Sequence, residues 1–355
     1  MIIAGGAGTR FWPAGRRARP KQLLPIAGKR TMLAETLDRC TSLAPPSRTW
    51  IVTNQLQAEA TRRECPGLPP DHVIAEPAMR NTAAAIGIAA AVLRQALGEG
   101  RDAVMAVMPA DHVIRPRDLF ERTFRAAIAR AAEADVLLTL GIRPTGPATG
   151  YGYIEGGGAV ATVDGFTVHK VKSFKEKPDR ASAAAFVASG RYWWNAGTFV
   201  WRLSVLLDAF RRHLPRHADL IDGIGRRLAH GESISPADYE RFDNLPVDIG
   251  ILEKSDRVET IPATFDWDDV GSWLAVDRLN PRDAKGNIVR GRHVGIDTSQ
   301  CIVMGSDDHL IATVGVEDLI IVRTPDATLI CPKSRAEEVK KIVERLAATD
   351  GEAYL

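Results

Sequence analysis

The chain has 355 residues, of which 45% are hydrophobic and 25% charged, which is ordinary for a globular protein with room for one large and one small domain. Its net charge of +2 gives no reason to expect nucleic acid or an anionic membrane as a partner. The four scattered cysteines form no CxxC pair, and neither a signal peptide nor a membrane-spanning stretch is evident, so the sequence predicts a reduced, cytoplasmic protein.

Short apolar runs alternate with helical spacing along the first half of the chain. Strands are predicted at residues 1–4, 49–53, 103–108 and 136–140, and a long alanine-rich helix is predicted to begin near Asn81. This β-α-β-α order predicts a doubly wound α/β sheet, in which ligands lie beyond the carboxyl ends of the strands. The glycines after residue 4 and the segment after residue 108 fall at such ends.

The pattern changes near residue 280. Apolar runs then recur every nine or ten residues, separated by turn residues, which predicts a small all-β unit, either a meander or a coil of a β-solenoid. A helix is predicted over 336–346, with Val339, Ile342, Val343 and Leu346 facing inward. We therefore expect two domains, at 1–280 and 281–355.

A glycine-rich turn follows the first predicted strand. Glycines leave backbone N–H groups accessible to phosphate oxygens, and a neighbouring arginine and lysine offer a planar fork and a point charge for a triphosphate. The alternative is an ordinary turn beside two solvated basic residues. The residues concerned are Gly5, Gly6, Gly8 and Thr9, with Arg10 and Lys21 as the basic pair.

Two better-known phosphate-binding glycine motifs are excluded, one at this turn and one at Gly28-Lys29. The dinucleotide fingerprint requires a third glycine where Phe11 stands, and no acidic residue follows at the expected distance. The P-loop requires a glycine five residues before its Gly-Lys pair, and Leu23 occupies that position before Gly28-Lys29. Any phosphate binding here must therefore use a different arrangement.

Further segments along the chain carry a more specific signal. They are GGAGTRFWPAGRRARPKQLL at 5–24, Glu76-Pro77 with Arg80-Asn81-Thr82, and the segments 109–112, 150–154, 174–178, 194–197 and 269–273. In this order they resemble the sugar-nucleotide pyrophosphorylases, specifically the mannose-1-phosphate guanylyltransferases. The resemblance implies a Rossmann-like, GT-A-like nucleotidyltransferase domain followed by a small C-terminal β-helix-like domain, and no isomerase domain is expected before Leu355.

The resemblance also implies a reaction. A phosphate oxygen of α-D-mannose 1-phosphate would attack the α-phosphorus of GTP, giving GDP-mannose and pyrophosphate. Because a phosphate monoester is already largely dianionic at neutral pH, no general base is needed, and the protein's task is to align two polyanions and neutralise the leaving group. The alternatives are another nucleotide or hexose 1-phosphate, or a non-catalytic GDP-mannose sensor. A homodimer is one further expectation.

Site roles follow from the resemblance, residue by residue. Arg10 and Lys21 are expected to hold the triphosphate, on the backbone of the glycine turn. Glu76 is a candidate acceptor for guanine, and Asn81 could contact the base or ribose. The sugar phosphate is assigned to Gly152, Glu176, Lys177, Asn195 and Gly197.

Mg²⁺ is the expected cofactor, since it takes oxygen ligands from one or two carboxylates and from phosphates. Asp111 follows a buried strand, where the alternative role is a turn cap, and the resemblance makes it a metal ligand. Asp269 is the second proposed ligand, with Asp268 as its rival. His213 and His217 have helical zinc spacing, but we interpret them as surface residues because no carboxylate partner is evident.

Overall fold

The central feature of the molecule, seen in a computed structural model that describes residues 1–6 and 8–355, is a nine-stranded mixed sheet. Numbered in chain order through the whole chain, the strands are β1 (Ile2–Ile3), β2 (Ile51–Asn54), β3 (Val73–Glu76), β4 (Val104–Pro109), β5 (Val113–Arg115), β6 (Leu137–Ile142), β7 (Tyr153–Val163), β8 (Phe166–Lys175), β9 (Tyr192–Arg202), β10 (Val258–Pro262), β11 (Asp266–Asp268), β12 (Ile288–Arg290), β13 (Arg292–Ser299), β14 (Ile302–Met304), β15 (Leu310–Glu317), β16 (Leu319–Arg323) and β17 (Thr328–Pro332).

Ten α-helices are found in the described part of the chain. They are α1 (Met32–Cys40), α2 (Ala58–Glu64), α3 (Asn81–Leu97), α4 (Arg117–Glu133), α5 (Arg180–Ser189), α6 (Leu203–His213), α7 (Pro215–Ala229), α8 (Pro236–Tyr239), α9 (Leu274–Leu279) and α10 (Val339–Ala347). None of the helices within residues 1–6 and 8–355 has the length and apolar character needed to cross a membrane.

The sheet runs in the order β3-β2-β1-β4-β9-β6-β10-β8-β7. Its first four strands are parallel, and Ile2 pairs with both Ile51 and Met108 in register. Beyond them β9 is antiparallel to β4 and to β6, so the sheet is mixed. The predicted α/β nucleotidyltransferase fold is confirmed, and the antiparallel strands come from the middle of the chain, where the sequence pattern is least regular.

Helix α3 shows why its alanine-rich sequence forms a buried helix. Residues 83–86 and 88–91 are all almost fully buried, and Gly87 faces Ile221 of α7. A Cβ on Gly87 would lie 2.6 Å from Ile221 Cδ1. Small side chains here let α3 and α7 approach closely. The start of α3 follows the end of β3 by only five residues.

The C-terminal unit is built from parallel coils. Strands β12, β14 and β16 stack in parallel with Ile288, Ile302 and Ile320 in line, and β13 pairs in parallel with β15. A meander pairs consecutive strands in antiparallel fashion, whereas here alternate strands pair in parallel. Of the two predicted arrangements, the structure therefore favours the solenoid. Only β17 is antiparallel, to β16.

Helix α10 closes this unit and corrects one expectation. Val339 is buried, and Val343 and Leu346 pack beside it. The sequence predicts that Ile342 faces inward, but it is 37% exposed and lies outside this cluster, at the edge of the stripe formed by the other three residues.

One hydrophobic cluster joins the two units. Phe11 and Trp12, just after the glycine turn, pack in the same cluster as Ile302 and Val339. The Trp12 indole N–H donates to the Tyr354 carbonyl at 2.9 Å. The boundary near residue 280 stays a prediction, since the hydrophobic packing continues across it.

Candidate active site

A cleft of about 620 Å³ opens at the carboxyl ends of β1, β3 and β4. It is lined by eleven of the residues singled out in the sequence: Gly5, Gly6, Glu76, Asn81, Asp111, Gly152, Glu176, Lys177, Asn195, Gly197 and Asp269. They come from segments up to 264 residues apart (Gly5 to Asp269), and the topology of the sheet brings them together.

One end of the cleft contains a buried carboxylate. Glu76 ends β3 and is 7% exposed, and the Tyr239 hydroxyl donates to its Oε1. Burial raises the pKa of Glu76 to about 7, although the Tyr239 hydrogen bond opposes the shift. Gly5 borders this carboxylate, because a Cβ there would lie 3.5 Å from Glu76 Oε2. Asn81 begins α3 nearby in the left-handed conformation, with φ of 64°.

Lys21 links the two acidic segments of the cleft. Its ammonium lies 2.7 Å from Asp111 Oδ2 and donates to the main-chain oxygens of Asp269, at 2.7 Å, and Val270, at 3.1 Å. Burial, the largest effect, raises the pKa of Asp111, but the Lys21 ammonium, the neighbouring His112 and hydrogen bonds together outweigh it, and the pKa falls below its usual value. Asp111 is therefore ionised at neutral pH.

The structure distinguishes Asp269 from its neighbour. Asp269 lines the cleft, and its Oδ1 accepts a hydrogen bond of 2.7 Å from the Tyr151 hydroxyl. Asp268 is held outside by a bidentate pair with Arg278, at 2.7 and 3.0 Å. Bidentate pairing occupies both oxygens of Asp268, so Asp269 is the carboxylate available to a ligand.

The cleft contains two carboxylates that could bind a metal ion, those of Asp111 and Asp269. Among residues 1–6 and 8–355, no group of three or more His, Cys, Asp or Glu side chains is placed to hold a metal ion. Asp111 and Asp269 both line the cleft, and Lys21 contacts the Asp111 carboxylate and the Asp269 main-chain oxygen. This donor set fits a hard cation such as Mg²⁺, which takes its other ligands from phosphates and water.

The other end of the cleft is a hydrogen-bonded polar network. The Asn195 amide donates to Asp248 Oδ1 at 2.8 Å, and its carbonyl accepts from the Thr139 hydroxyl and the Gly197 N–H. Burial and the neighbouring Glu176 carboxylate raise the pKa of Asp248 to about 7. These bonds fix the orientation of the Asn195 side chain.

Glu176 and Lys177 follow strand β8 at the mouth of this end. The Lys177 ammonium is paired with Glu176, and Lys177 itself has φ of 45°. Glu176 packs so closely over Gly152 that a Cβ there would lie 2.5 Å from Glu176 Oε2. Gly197 also has positive φ, at 62°, which suits a residue without a Cβ.

The structure does not bring Gly8, Thr9, Arg10 or Lys21 into the cleft wall, although Lys21 contacts two residues that line it, Asp111 and Asp269. Gly8 instead packs on Lys21, since a Cβ on this left-handed residue would lie 2.6 Å from the Lys21 backbone nitrogen. Arg10 points to the C-terminal unit, where its Nε lies 2.8 Å from Glu337 Oε2, an ion pair whose angle falls short of a hydrogen bond. The expected contact of Arg10 with a triphosphate therefore stays a prediction.

Several residues of the cleft were not assigned from the sequence. Arg80, Tyr151 and Gln22 lie inside the motifs that carry the resemblance, so a signal existed. Asn244 and Asp248 lie outside all of those motifs. The surface assignment of His217 was wrong. This side chain is 1% exposed because it packs against Phe242.

Comparison with known proteins gives consistent matches over the whole chain. The family model described as nucleotidyl transferase matches residues 1–286, and the model described as MannoseP isomerase/GMP-like beta-helix domain matches residues 291–346. A mannose-1-phosphate guanylyltransferase of Escherichia coli is 36% identical, over 100% of this chain and 75% of that protein.

Two further relatives cover nearly all of this chain. The alginate biosynthesis protein AlgA of Pseudomonas aeruginosa is 35% identical, over 98% of this chain and 72% of its own length. A crystal structure described as mannose-1-phosphate geranyltransferase from Thermus thermophilus is 35% identical and superposes with a TM-score of 0.84, covering 98% of both chains. The likeness thus includes the C-terminal unit.

Proposed function

We propose that this chain, which belongs to the mannose-1-phosphate guanylyltransferase family of nucleotidyl transferases, transfers GMP from GTP to α-D-mannose 1-phosphate. The products are GDP-mannose and pyrophosphate. The observation that supports this most directly is one cleft that brings together a glycine turn, the carboxylates of Asp111 and Asp269, and a polar end with Lys177, while Lys21 is paired with Asp111.

The electrostatics of the cleft suit direct displacement between two polyanions. Lys21 is buried and held by three oxygens, so its charge is fixed in position before a substrate arrives. A preorganised charge of this kind stabilises a phosphoryl transition state without reorganisation. Arg10 adds a second cation once its ion pair with Glu337 opens.

Asp111 and Asp269 are the residues that would hold Mg²⁺. Both are oxygen donors at the cleft wall, and the lowered pKa of Asp111 keeps it charged at neutral pH. Bound Mg²⁺ would supply charge neutralisation at the phosphate oxygens. Tyr151 orients Asp269 by donating to one oxygen and leaves the other open to a ligand.

The two ends of the cleft take different parts of the product. Guanine carries N–H donors at N1 and N2, and Glu76 is the buried acceptor at the end of β3, with Asn81 beside it for the base or ribose. At the other end, Lys177 receives the sugar phosphate, and Glu176 and Asn195 accept and donate hydrogen bonds to mannose hydroxyls. Gly152 and Gly197 leave room for the sugar.

Two alternatives remain distinct from this reaction. Another hexose 1-phosphate or nucleotide would require other hydroxyl or base contacts at the same two ends, and such selectivity rests on few hydrogen bonds. A non-catalytic GDP-mannose sensor would have no need of Lys21, Asp111 and Asp269 in contact, and this chain retains all three. A homodimer also stays a prediction.

A substrate panel tests the proposal. The purified chain is incubated with Mg²⁺, each nucleoside triphosphate and each of several hexose 1-phosphates, and the products are separated by anion exchange and identified by mass. We expect GDP-mannose and pyrophosphate in equal amounts with the matched pair. Absence of any nucleotide sugar, or a nucleotide trapped covalently on a side chain, would overturn the proposal.

A further inference from the structure

A second, smaller cavity shares one residue with the cleft. It has a volume of about 110 Å³ and lies between the chain before α1, helix α1 itself and strand β5. His112, the residue after Asp111, lines both spaces. No residue assigned to the proposed reaction lines the smaller cavity.

Basic side chains dominate its wall. Arg30, Arg39 and Arg115 line the cavity, and Glu35 is the one acidic residue among its lining residues. Three positive charges thus face one negative charge in a small space. Such an excess favours an anionic occupant, which would balance the charge and fill the donors.

Arg39 is the most informative of the three. It is 8% exposed and lies over the Phe120 ring at 5.3 Å, so its guanidinium is fixed and largely removed from water. One terminal nitrogen donates to Thr36 at 3.0 Å and to the His112 carbonyl at 3.4 Å, but Nε has no acceptor within the described chain. A buried donor without a partner costs free energy, which a ligand oxygen would recover.

The other two arginines are held at the cavity by neutral groups. Arg115 donates to the Ala27 carbonyl at 3.2 Å, and Arg30 donates to the Ala34 carbonyl at 3.2 Å. The nearest carboxylate to Arg30 within the described residues is 3.9 Å away, on Asp38. The long ion pair with Asp38 compensates part of the Arg30 charge, whereas Arg39 and Arg115 form no ion pair within the described residues, so their positive charge remains available.

We propose that this cavity binds one tetrahedral oxyanion, of which inorganic phosphate is the representative. A water occupies about 30 Å³ in the liquid, so 110 Å³ admits a group the size of a phosphate but no nucleotide. Hydrogen phosphate also retains an O–H that can donate to Glu35, and sulfate does not. The site therefore prefers phosphate to sulfate.

Calorimetric titration of the full-length chain with phosphate tests this directly. The variants are Arg39→Gln and Arg115→Gln, and Arg48→Gln, which changes an exposed arginine outside the cavity, is the matched control. We expect a phosphate-binding event that weakens by about tenfold or more in the first two variants, as for loss of a charge-assisted hydrogen bond. The control should bind as the wild type does, and sulfate should bind more weakly than phosphate.

Two results would overturn the inference. One is the absence of any phosphate binding by the wild type, and the other is binding that is equal in the wild type and in Arg115→Gln. Because Arg115 is exposed, its variant is expected to fold even if Arg39→Gln does not. The test needs no turnover, so its failure would leave the proposed reaction untouched, and loss of the reaction would leave this site untouched.

Discussion

Asp111, which lines the cleft, carries a charge opposite to that of Lys21, 2.7 Å away. Replacing the Asp111 carboxylate with an amide removes its charge with almost no change of shape, so the role of Asp111 can be measured apart from that of Lys21. We expect Asp111→Asn to lower kcat by orders of magnitude while GTP binding largely survives, because the carboxylate that would hold Mg²⁺ is lost and the glycine turn remains. Steady-state kinetics at saturating Mg²⁺ and equilibrium binding of GTP measure the two effects.

The control for this variant is Asp118→Asn, an exposed aspartate in the first turn of α4. It removes the same charge from the molecule at a site away from the cleft, and its kcat should match the wild type. Turnover near the wild-type rate in Asp111→Asn would remove Asp111 from the metal site.

Glu76 gives a pH-dependent prediction because its ionised form is buried. The folded-state pKa is about 7, above the ordinary 4.5, so the folded protein binds more protons than the unfolded chain between those values. The free energy of unfolding is therefore highest, as far as Glu76 is concerned, below pH 4.5, where the carboxyl group is protonated in both states. It decreases as pH rises to about 7, because the buried group must then ionise. At about 1.4 kcal/mol per unit of pKa, the loss is roughly 3 kcal/mol.

Glu76→Gln removes this titration. We expect the variant to lose less stability than the wild type between pH 5 and pH 8 in urea unfolding, although Asp248, whose pKa is also raised, keeps part of the decline. Glu59→Gln, at an exposed position of α2, should behave as the wild type does. An identical pH profile for Glu76→Gln and the wild type would contradict the prediction.

At the scale of elements, strand β8 ends in an exposed lysine, and the turn that follows it carries a second lysine that lines the cleft. Lys177 lines the cleft, and Lys175, two residues earlier, is exposed on the strand. We expect Lys177→Ala to raise KM for the sugar phosphate by about tenfold or more with a smaller change in kcat, because a ground-state contact is lost. Lys175→Ala should leave both constants unchanged, and a purely lowered kcat in Lys177→Ala would argue against a binding role.

Some helices and strands are predicted correctly from the sequence, and others are not. Helix α3 begins at Asn81 as predicted, since the alanine-rich pattern is long and its start coincides with the end of a turn. The parallel half of the sheet is predicted equally well, because buried parallel strands read as continuous apolar runs. The antiparallel insertion of β9 between β4 and β6 is not predicted, since pairing between residues 52 to 98 positions apart leaves no local pattern.

The sequence predicts the position of a cleft residue when that residue directly follows a strand. It does not predict a position that is fixed by contact with a residue distant in the chain. Asp111 comes just after β4, so its position at the sheet edge follows from the strand alone. Asp248 comes from a short helical turn and acquires its role only through contact with Asn195. Arg10 is the clearest limit, because its ion pair is with a residue of the C-terminal unit that no local motif indicates.

At the scale of the whole molecule, the C-terminal unit is attached to the segment that carries the glycine turn. Phe11 and Trp12 lie in the hydrophobic cluster of that unit, and the Arg17 backbone N–H donates to the Leu355 carbonyl at 2.7 Å. Arg10, in the same segment, pairs with Glu337. The orientation of Arg10, which we propose to contact the triphosphate, is thus set by a unit outside the nine-stranded sheet.

This attachment yields a prediction about competition for Arg10. Both partners of the ion pair are largely exposed, with side chains 43% and 62% accessible, so opening it costs little. We expect Glu337→Gln to lower KM for GTP a few-fold, because Arg10 no longer has to leave a carboxylate, and Arg10→Ala to lower kcat/KM by about tenfold or more. Steady-state kinetics with GTP as the varied substrate measures both.

A double-mutant cycle decides whether the two residues act on each other. If Glu337 acts only by holding Arg10, then Glu337→Gln has no effect in the Arg10→Ala background, and Glu344→Gln, an exposed glutamate on α10, has none in either background. An equal drop in KM with and without Arg10 would instead assign the effect to the net charge of the C-terminal unit. An unchanged kcat/KM in Arg10→Ala would show that the triphosphate is held by Lys21 and the glycine turn without this arginine.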